Sequence, residues 1–271
     1  DFNNIYETKR GIKITLNNNS KKMSYNFAVI GDPIDKSQSP SLFRKIWSNN
    51  PLKTKLNYSS INLNEFQLEE FLATTDLNGF NVTAPLKETI IPHLSRLTKI
   101  AEEIKAVNTV ARVNDEWIGH NTDGDGFWEM CKNQLPTPEK SQDICILGNG
   151  GAARAIVYIL NSLGYHGLIL CRTPKGNFNW PEIKFNTIKE LKATAVIQCT
   201  TLGMTPNINS SPPLPIWLGK NKPVAFDLIY EPTETKFLKE MEFQGCKTIG
   251  GSQMLIFQAK KAWRYWVDVL N

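Results

Sequence analysis

The chain has 271 residues, which at roughly 150 residues per domain points to about two domains. Hydrophobic residues make up 41% and charged residues 21%, an ordinary globular balance, and no apolar run approaches the roughly 18 residues that cross a bilayer, so a membrane span is excluded. Lys and Arg number 31 against 26 Asp and Glu, a dispersed excess of +5 that excludes a strongly basic nucleic-acid domain and leaves room for a local anion site.

Residues 1–25 are polar, rich in Asn and Lys and without a sustained period, and read as a linker or N-terminal arm. The first strand is expected over 26–30, ended by Gly31-Asp32-Pro33. A helix follows Ser39-Pro40, where serine can cap and proline suits the first turn. Then come a strand over 57–62, a helix over 64–73 and a strand over 79–82. Helices are expected near Pro85 and over 97–104. Segments 109–113 and 116–120 flank Asn114-Asp115, a hairpin turn. After a helix over 125–134 and the break at Pro136-Thr137-Pro138, the apolar run 143–147 has the character of a buried parallel strand. Further strands are expected over 168–171, 195–199, 224–228 and 247–249, and a last helix over 253–270 carries Trp263 and Trp266. Strands alternate with helices throughout, so the fold class is α/β with two domains.

The five cysteines, Cys131, Cys145, Cys171, Cys199 and Cys246, are widely spaced and form no CxxC. With no stretch that reads as a signal peptide, the expectation is free thiols in a cytoplasmic protein. The three histidines share no spacing with each other or with cysteine, and no metal site is expected.

The sharpest local signal is Gly148-Asn149-Gly150-Gly151-Ala152-Ala153, between the 143–147 strand and an apolar helix. Gly148 suits the tight turn, Gly150 lets a pyrophosphate approach, Ala153 permits close helix–strand packing, and the helix N-terminus offers N–H groups to phosphate. This is the pattern of a dinucleotide site; a purely structural turn is the alternative. After the next strand come Arg172, Thr173 and Lys175, with no acid before Glu182. A carboxylate here would repel a 2′-phosphate and a guanidinium would grip it, so NADP is favoured over NAD. A solvated basic loop is the bland reading of the same residues.

In the first half, Ser37, Ser39, Asn81, Thr83, Lys87, Asn108 and Asp123 lie where loops leave or enter expected strands. Hydroxyls and amides with one amine and one carboxylate suit a polyhydroxylated small molecule. Taken singly, each is equally a cap, a turn residue or a solvated lysine.

Taken together, these segments resemble the shikimate dehydrogenase family. Ser37-Gln-Ser-Pro40 is similar to its SxSP loop, Asn81-Val-Thr-Ala-Pro-Leu-Lys87 to NVTxPxK, Ala106-Val-Asn-Thr109 to AVNT, and Gly119-His-Asn-Thr-Asp-Gly124 to GxNTDG. The run 148–155 is similar to GxGGAARA and Arg172-Thr173 to part of NRT; Thr200-Thr-Leu-Gly-Met204, Asp227-Leu-Ile-Tyr230 and the stretch 251–259 complete the series in family order. The resemblance implies reversible NADPH-dependent reduction of 3-dehydroshikimate to shikimate, with Lys87 and Asp123 as the catalytic pair. It assigns Ser37, Ser39, Asn81, Thr83, Asn108, Tyr230 and Gln258 to the substrate. Gly148, Asn149, Gly150, Gly151, Ala152, Arg172, Thr173, Thr200, Leu228 and Gly251 go to NADP, with Lys175 added from the basic loop.

This chain departs from the family pattern in places. The SxSPxxHN helix start ends in Phe43-Arg44, Cys171 replaces the Asn of NRT, and Gln198 stands where Asn often precedes the Thr pair. The stretch from Arg172 to Thr200 is short, and 176–181 makes a poor helix, so this crossover is expected to be trimmed to a loop. The expected domains are 26–122 with 252–271 for substrate and a Rossmann-like 123–251 for NADP. Partners are the small-molecule substrate, with no nucleic acid or membrane, in a monomer or homodimer. The arm is similar in position to the joint of bifunctional dehydroquinate dehydratase–shikimate dehydrogenases, so a fused domain upstream is an expectation. The rival readings are a quinate/shikimate dehydrogenase using NAD(P) and a catalytically inactive metabolite sensor.

Overall fold

The structure, a computed structural model, describes residues 24–50, 53–140, 143–214, 218 and 222–270; the expected arm lies outside them up to residue 23. In chain order the elements are β1 (Tyr25–Gly31), α1 (Ser39–Ile46), β2 (Leu56–Asn62), α2 (Leu68–Thr74), β3 (Gly79–Val82), α3 (Leu86–Thr89), β4 (Arg96–Leu97), α4 (Lys99–Ile104), β5 (Thr109–Val113), β6 (Glu116–His120) and α5 (Asp123–Cys131). They continue with β7 (Ile144–Leu147), α6 (Gly151–Ser162), β8 (Gly167–Cys171), β9 (Glu182–Lys184), β10 (Ala195–Gln198), β11 (Val224–Asp227), α7 (Lys236–Phe243), β12 (Lys247–Ile249) and α8 (Ser252–Leu270). The described residues fall into two units: 24–98 with 107–120 and 259–270, and 99–106 with 121–258.

The first unit is built on a mixed sheet of order β2-β1-β3-β5-β6-β4. β1 pairs in parallel with both β2 and β3, and β5 runs antiparallel to β3. The run Phe27-Ala-Val-Ile30 is apolar at successive positions because β1 is buried on both faces. Its core is aromatic. Phe27 stacks on Trp266 of α8 at 4.4 Å between centroids, and Phe43 stacks on Tyr58 at 4.2 Å. Trp266 Nε1–H donates to the Val110 carbonyl at 2.8 Å, so the largest buried ring leaves no orphan polar atom. Gly79 makes this possible, since a Cβ there would come within 2.7 Å of Trp266 Nε1. The β5–β6 hairpin turns on Asn114 and Asp115 at φ of 51° and 63°, the left-handed pair that two-residue hairpins need.

The second unit carries an all-parallel sheet of order β12-β11-β10-β7-β8-β9. Along β7, Ile144 and Ile146 join one apolar cluster with Phe127, Ile156 and Leu160, while Cys145 and Leu147 join another with Leu170, Val196 and Phe237. Alternate residues thus serve opposite faces, which is why the strand reads as an unbroken apolar run. The five cysteines are thiols. Burial pushes the Cys131 thiol up to about 12, so it stays protonated. No helix among the described residues is long and apolar enough to cross a membrane.

The trimmed crossover is found: between β8 and β10 there is no helix. Two aromatic side chains of this segment instead pack into the cluster built on Phe127 of α5 and Ile156 and Leu160 of α6. Trp180 is buried, donates from Nε1 to Asn161 Oδ1 at 3.3 Å and packs where a Cβ on Gly167 would stand. Phe178 lies 5.0 Å from the Arg154 guanidinium, ring to cation. The segment also carries a strand, β9, paired in parallel with β8, that the sequence pattern does not announce.

Candidate functional site

In the second unit every expected cofactor residue follows the carboxyl end of a parallel strand, the usual ligand edge of such sheets. Gly148 leaves β7 at φ 99°, and a Cβ there would come within 2.7 Å of Thr200 Cγ2. Its glycine is therefore required by the chain's own packing. Gly150 differs. Its φ of −92° and ψ of −172° suit any residue, and a Cβ would meet nothing within 4 Å. Nothing in the protein requires glycine there, whereas a phosphate approaching the backbone would. Gly150 is the N-cap of α6 and contributes no side-chain cap, so Gly151, Ala152 and the buried Ala153 open the helix with their N–H groups toward the turn. These residues fit a dinucleotide pyrophosphate.

Arg172, Thr173 and Lys175 follow β8 and are exposed. Asn149 is engaged by the protein itself: Nδ2 donates to the Thr173 carbonyl and to Glu182 Oε2, each at 2.9 Å. Glu182, absent from the expected set, is the acidic group beside this loop. Thr200 follows β10, where the buried Gln198 accepts from the Thr200 N–H at 2.5 Å and donates to the Leu202 carbonyl at 2.9 Å. The Gln that replaces Asn thus ties down its own turn. Leu228 follows β11, and a Cβ on Gly251 would run into the Leu228 carbonyl, so only glycine lets these two loops meet.

Tyr230 sits half-buried in the loop that Asp227 organises. Asp227 Oδ2 accepts from the Thr235 hydroxyl at 2.5 Å and Oδ1 from the Ile229 N–H at 2.9 Å. Thr235 in turn caps α7, accepting from the Leu238 N–H at 3.2 Å. Asp123 is the first residue of α5 and is buried; its N–H donates to Asn121 Oδ1 at 3.0 Å, and Asn121 Nδ2 donates to the Ala106 carbonyl at 2.8 Å. A carboxylate in a first helical turn is favourably placed against the helix dipole. The Gln258 carbonyl accepts from the Thr122 hydroxyl at 3.2 Å, and a Cβ on Gly126 would come within 2.7 Å of Gln258 Cβ. Close approach at Gly126 therefore holds Gln258 beside the start of α5.

The first unit gathers Ser37, Ser39, Asn81, Thr83, Lys87 and Asn108 near the carboxyl ends of β1 and β3. Ser39 is not the cap expected of it. The N-cap position is Gln38, whose side chain does not cap the helix, and Ser37 Oγ accepts from the Ser39 N–H at 3.3 Å. With Pro40 closing the first turn, the Ser39 hydroxyl has no capping duty. Asn81 is the organiser of the group. Both hydrogens of its amide are taken, by the Asn108 carbonyl at 3.1 Å and Thr109 Oγ1 at 3.2 Å, while Oδ1 accepts from the Tyr58 hydroxyl at 2.7 Å. Thr109 Oγ1–H passes on to Asn108 Oδ1 at 2.9 Å. Lys87 is half-buried in the short α3, and its carbonyl accepts from the Val107 N–H at 2.8 Å, which ties α3 to the segment bearing Asn108. Lys87 belongs to the first unit and Asp123 to the second.

A sequence profile described as the shikimate dehydrogenase substrate binding domain matches residues 29–110. Over 263 residues, 91% of this chain and 93% of the relative, the chain is 34% identical to a shikimate dehydrogenase (NADP(+)) of Desulfitobacterium hafniense strain Y51. Among solved structures it is similar to shikimate dehydrogenase 1 from Peptoclostridium difficile, with a TM-score of 0.80, 27% identity and coverage of 90% and 92% of the two chains. It is also similar to shikimate 5-dehydrogenase from Thermus thermophilus in complex with NADP(H) and shikimate, with a TM-score of 0.74, 30% identity and coverage of 89% and 93%.

Proposed function

The chain belongs to the shikimate dehydrogenase family, and from that premise we propose that it catalyses the reversible NADPH-dependent reduction of 3-dehydroshikimate to shikimate. Bound NADPH supplies a hydride to the ketone. The alkoxide that results needs a proton, and Lys87 donates a hydrogen bond to that oxygen and delivers the proton from Nζ. Asp123 is the carboxylate of the catalytic pair in this reading. In the reverse direction Lys87 takes the proton from the hydroxyl.

Ser37, Ser39, Thr83, Asn108, Tyr230 and Gln258 take the hydroxyls and carboxylate of the substrate. Because both Asn81 amide hydrogens are already donated within the protein, Asn81 serves through its remaining Oδ1 lone pair and through the Asn108 it holds in place. Gly148 to Ala152 hold the pyrophosphate, Arg172 and Lys175 the 2′-phosphate, and Asn149, Thr173, Thr200, Leu228 and Gly251 shape the site around them. The observation that carries the cofactor half is Gly150, a glycine that its own protein does not need. A cytoplasmic location and a monomeric or homodimeric state go with this reading.

Steady-state assays with shikimate or quinate and NADP or NAD test it. The expected result is turnover with shikimate and NADP far above the other pairings. Turnover favouring quinate would move the chain to the quinate-using reading. Measurable binding without turnover in any pairing would make it a sensor.

A further inference from the structure

Glu182 opens β9, and its carboxylate faces the loop that leaves β8. Oε2 accepts from the Lys175 N–H at 2.7 Å and from Asn149 Nδ2 at 2.9 Å, with Cys171 Sγ at 3.9 Å. Oε1 accepts from the Asn177 N–H at 3.1 Å. Gly176, at φ 67°, turns the backbone so that the N–H groups of Lys175, Gly176 and Asn177 converge on this one anion. Successive N–H groups around a left-handed residue form a nest, a concavity that binds anions. Here the anion is the chain's own side chain. Burial alone would raise the Glu182 carboxyl, but the donors from Lys175, Asn149, Asn177 and Gly176 outweigh it and hold it below the ordinary range.

Asn149 carries the connection further. The same amide that reaches Glu182 also reaches the Thr173 carbonyl, so the glycine turn, the basic loop and β9 meet at one carboxylate. In an ordinary βαβ unit a crossover helix steadies this loop; that helix is missing here. A carboxylate near the end of a second strand could instead bind the ribose 2′-hydroxyl of NAD. The donors already on both Glu182 oxygens argue against that role, since Oε2 alone receives an amide, a backbone N–H and a thiol.

We propose that Glu182 is a positioning residue for cofactor selection: by gripping the 173–177 loop and Asn149 together, it holds Arg172 and Lys175 as one arm of the 2′-phosphate site. The inference rests on the reading of Arg172 given under the proposed function.

The test uses Glu182→Ala and Glu182→Gln in the full chain, beside Arg172→Ala. The readouts are kcat and KM with NADPH and with NADH, and hydrogen exchange of the 173–177 amides. Losing hydrogen bonds to a charged group is expected to lower the NADPH-over-NADH ratio of kcat/KM at least about tenfold in Glu182→Ala. The loss should enter through KM for NADPH with kcat little changed, and the Lys175 and Asn177 amides should exchange faster. Glu182→Gln, which keeps the shape but turns an NH₂ toward donors, should fall between. A ratio that stays or rises in Glu182→Ala overturns the inference, as does an equal rise of KM for both cofactors, the mark of a merely structural prop. Arg172→Ala separates the failures. If its ratio collapses while that of Glu182→Ala does not move, the Glu182 inference alone is lost. If its own ratio does not move, the 2′-phosphate reading is lost and the inference with it.

Discussion

Lys87 and Gly150 make opposite kinds of demand on the chain. Lys87 is wanted for a proton, and positioned acid–base groups contribute about 100-fold to 10,000-fold, so Lys87→Ala should lower kcat by at least about 100-fold while KM for shikimate changes far less. A kcat left intact in a stopped-time assay would take Lys87 out of the chemistry. Gly150 is wanted for space. An alanine there meets no neighbour and needs no unusual φ, so Gly150→Ala should leave the melting temperature unchanged. KM for NADPH should nevertheless rise several-fold. A drop in melting temperature with no change in KM would mark Gly150 as a packing residue. At this scale the types of the site residues were legible in the sequence, because hydroxyls, amides and glycines at strand ends are chemically distinctive. Their internal hydrogen bonds were not. That both Asn81 hydrogens are taken, or that Ser39 does no capping, depends on partners at Asn108, Thr109 and Gln38 whose approach no local pattern encodes.

Between elements, Asp227 joins β11 to α7, and its titration carries a stability consequence. Burial pushes its carboxyl up to about 6, against the pull of the Thr235 hydroxyl and the Ile229 N–H. An acid whose folded value is raised contributes stability that is complete below its unfolded value of about 3.9 and is lost as the pH rises through about 6, here on the order of 3 kcal/mol. Asp227→Asn lacks that slope. Its stability relative to the parent protein should therefore climb between about pH 4 and 6 and level off above, in urea unfolding at a series of pH values. Parallel pH profiles for the two proteins would assign the titration elsewhere. The hairpin at Asn114-Asp115 and the strand–turn–helix around Gly148 were readable because their conformations demand particular residues. β4 and β9, of two and three residues, are too short to show a period. Glu182 was missed for the same reason. The only local signal was an acid a few residues past a basic loop that forms no helix, and the loop closes on it through backbone N–H groups that every residue has.

Across the whole molecule, the first unit takes its central aromatic rings from both ends of the described chain. Phe27 lies on the first strand and Trp266 on the last helix, fully buried and hydrogen-bonded to the Val110 carbonyl. Removing a buried ring of this size costs about 3–5 kcal/mol, so Trp266→Ala should show that loss in denaturant unfolding. A cost below about 1 kcal/mol would mean that the surrounding rings close the gap. Composition announced about two domains, and periodicity gave the alternation within each. Which unit the closing helix completes was expected from family resemblance, since no pattern within 253–270 names its partner.

That helix also sets the timetable of synthesis. The Trp266 ring reaches a carbonyl 156 residues earlier in the chain. While the nascent polypeptide leaves the ribosome, residues 121–258 can form their parallel sheet as they emerge, but the strands of the first unit, made before them, must wait beside an unfilled gap for α8. Of the two units, the one begun earlier is thus finished later, and a ribosome stalled before α8 would hold a chain whose β1 and β3 still expose apolar surface to chaperones.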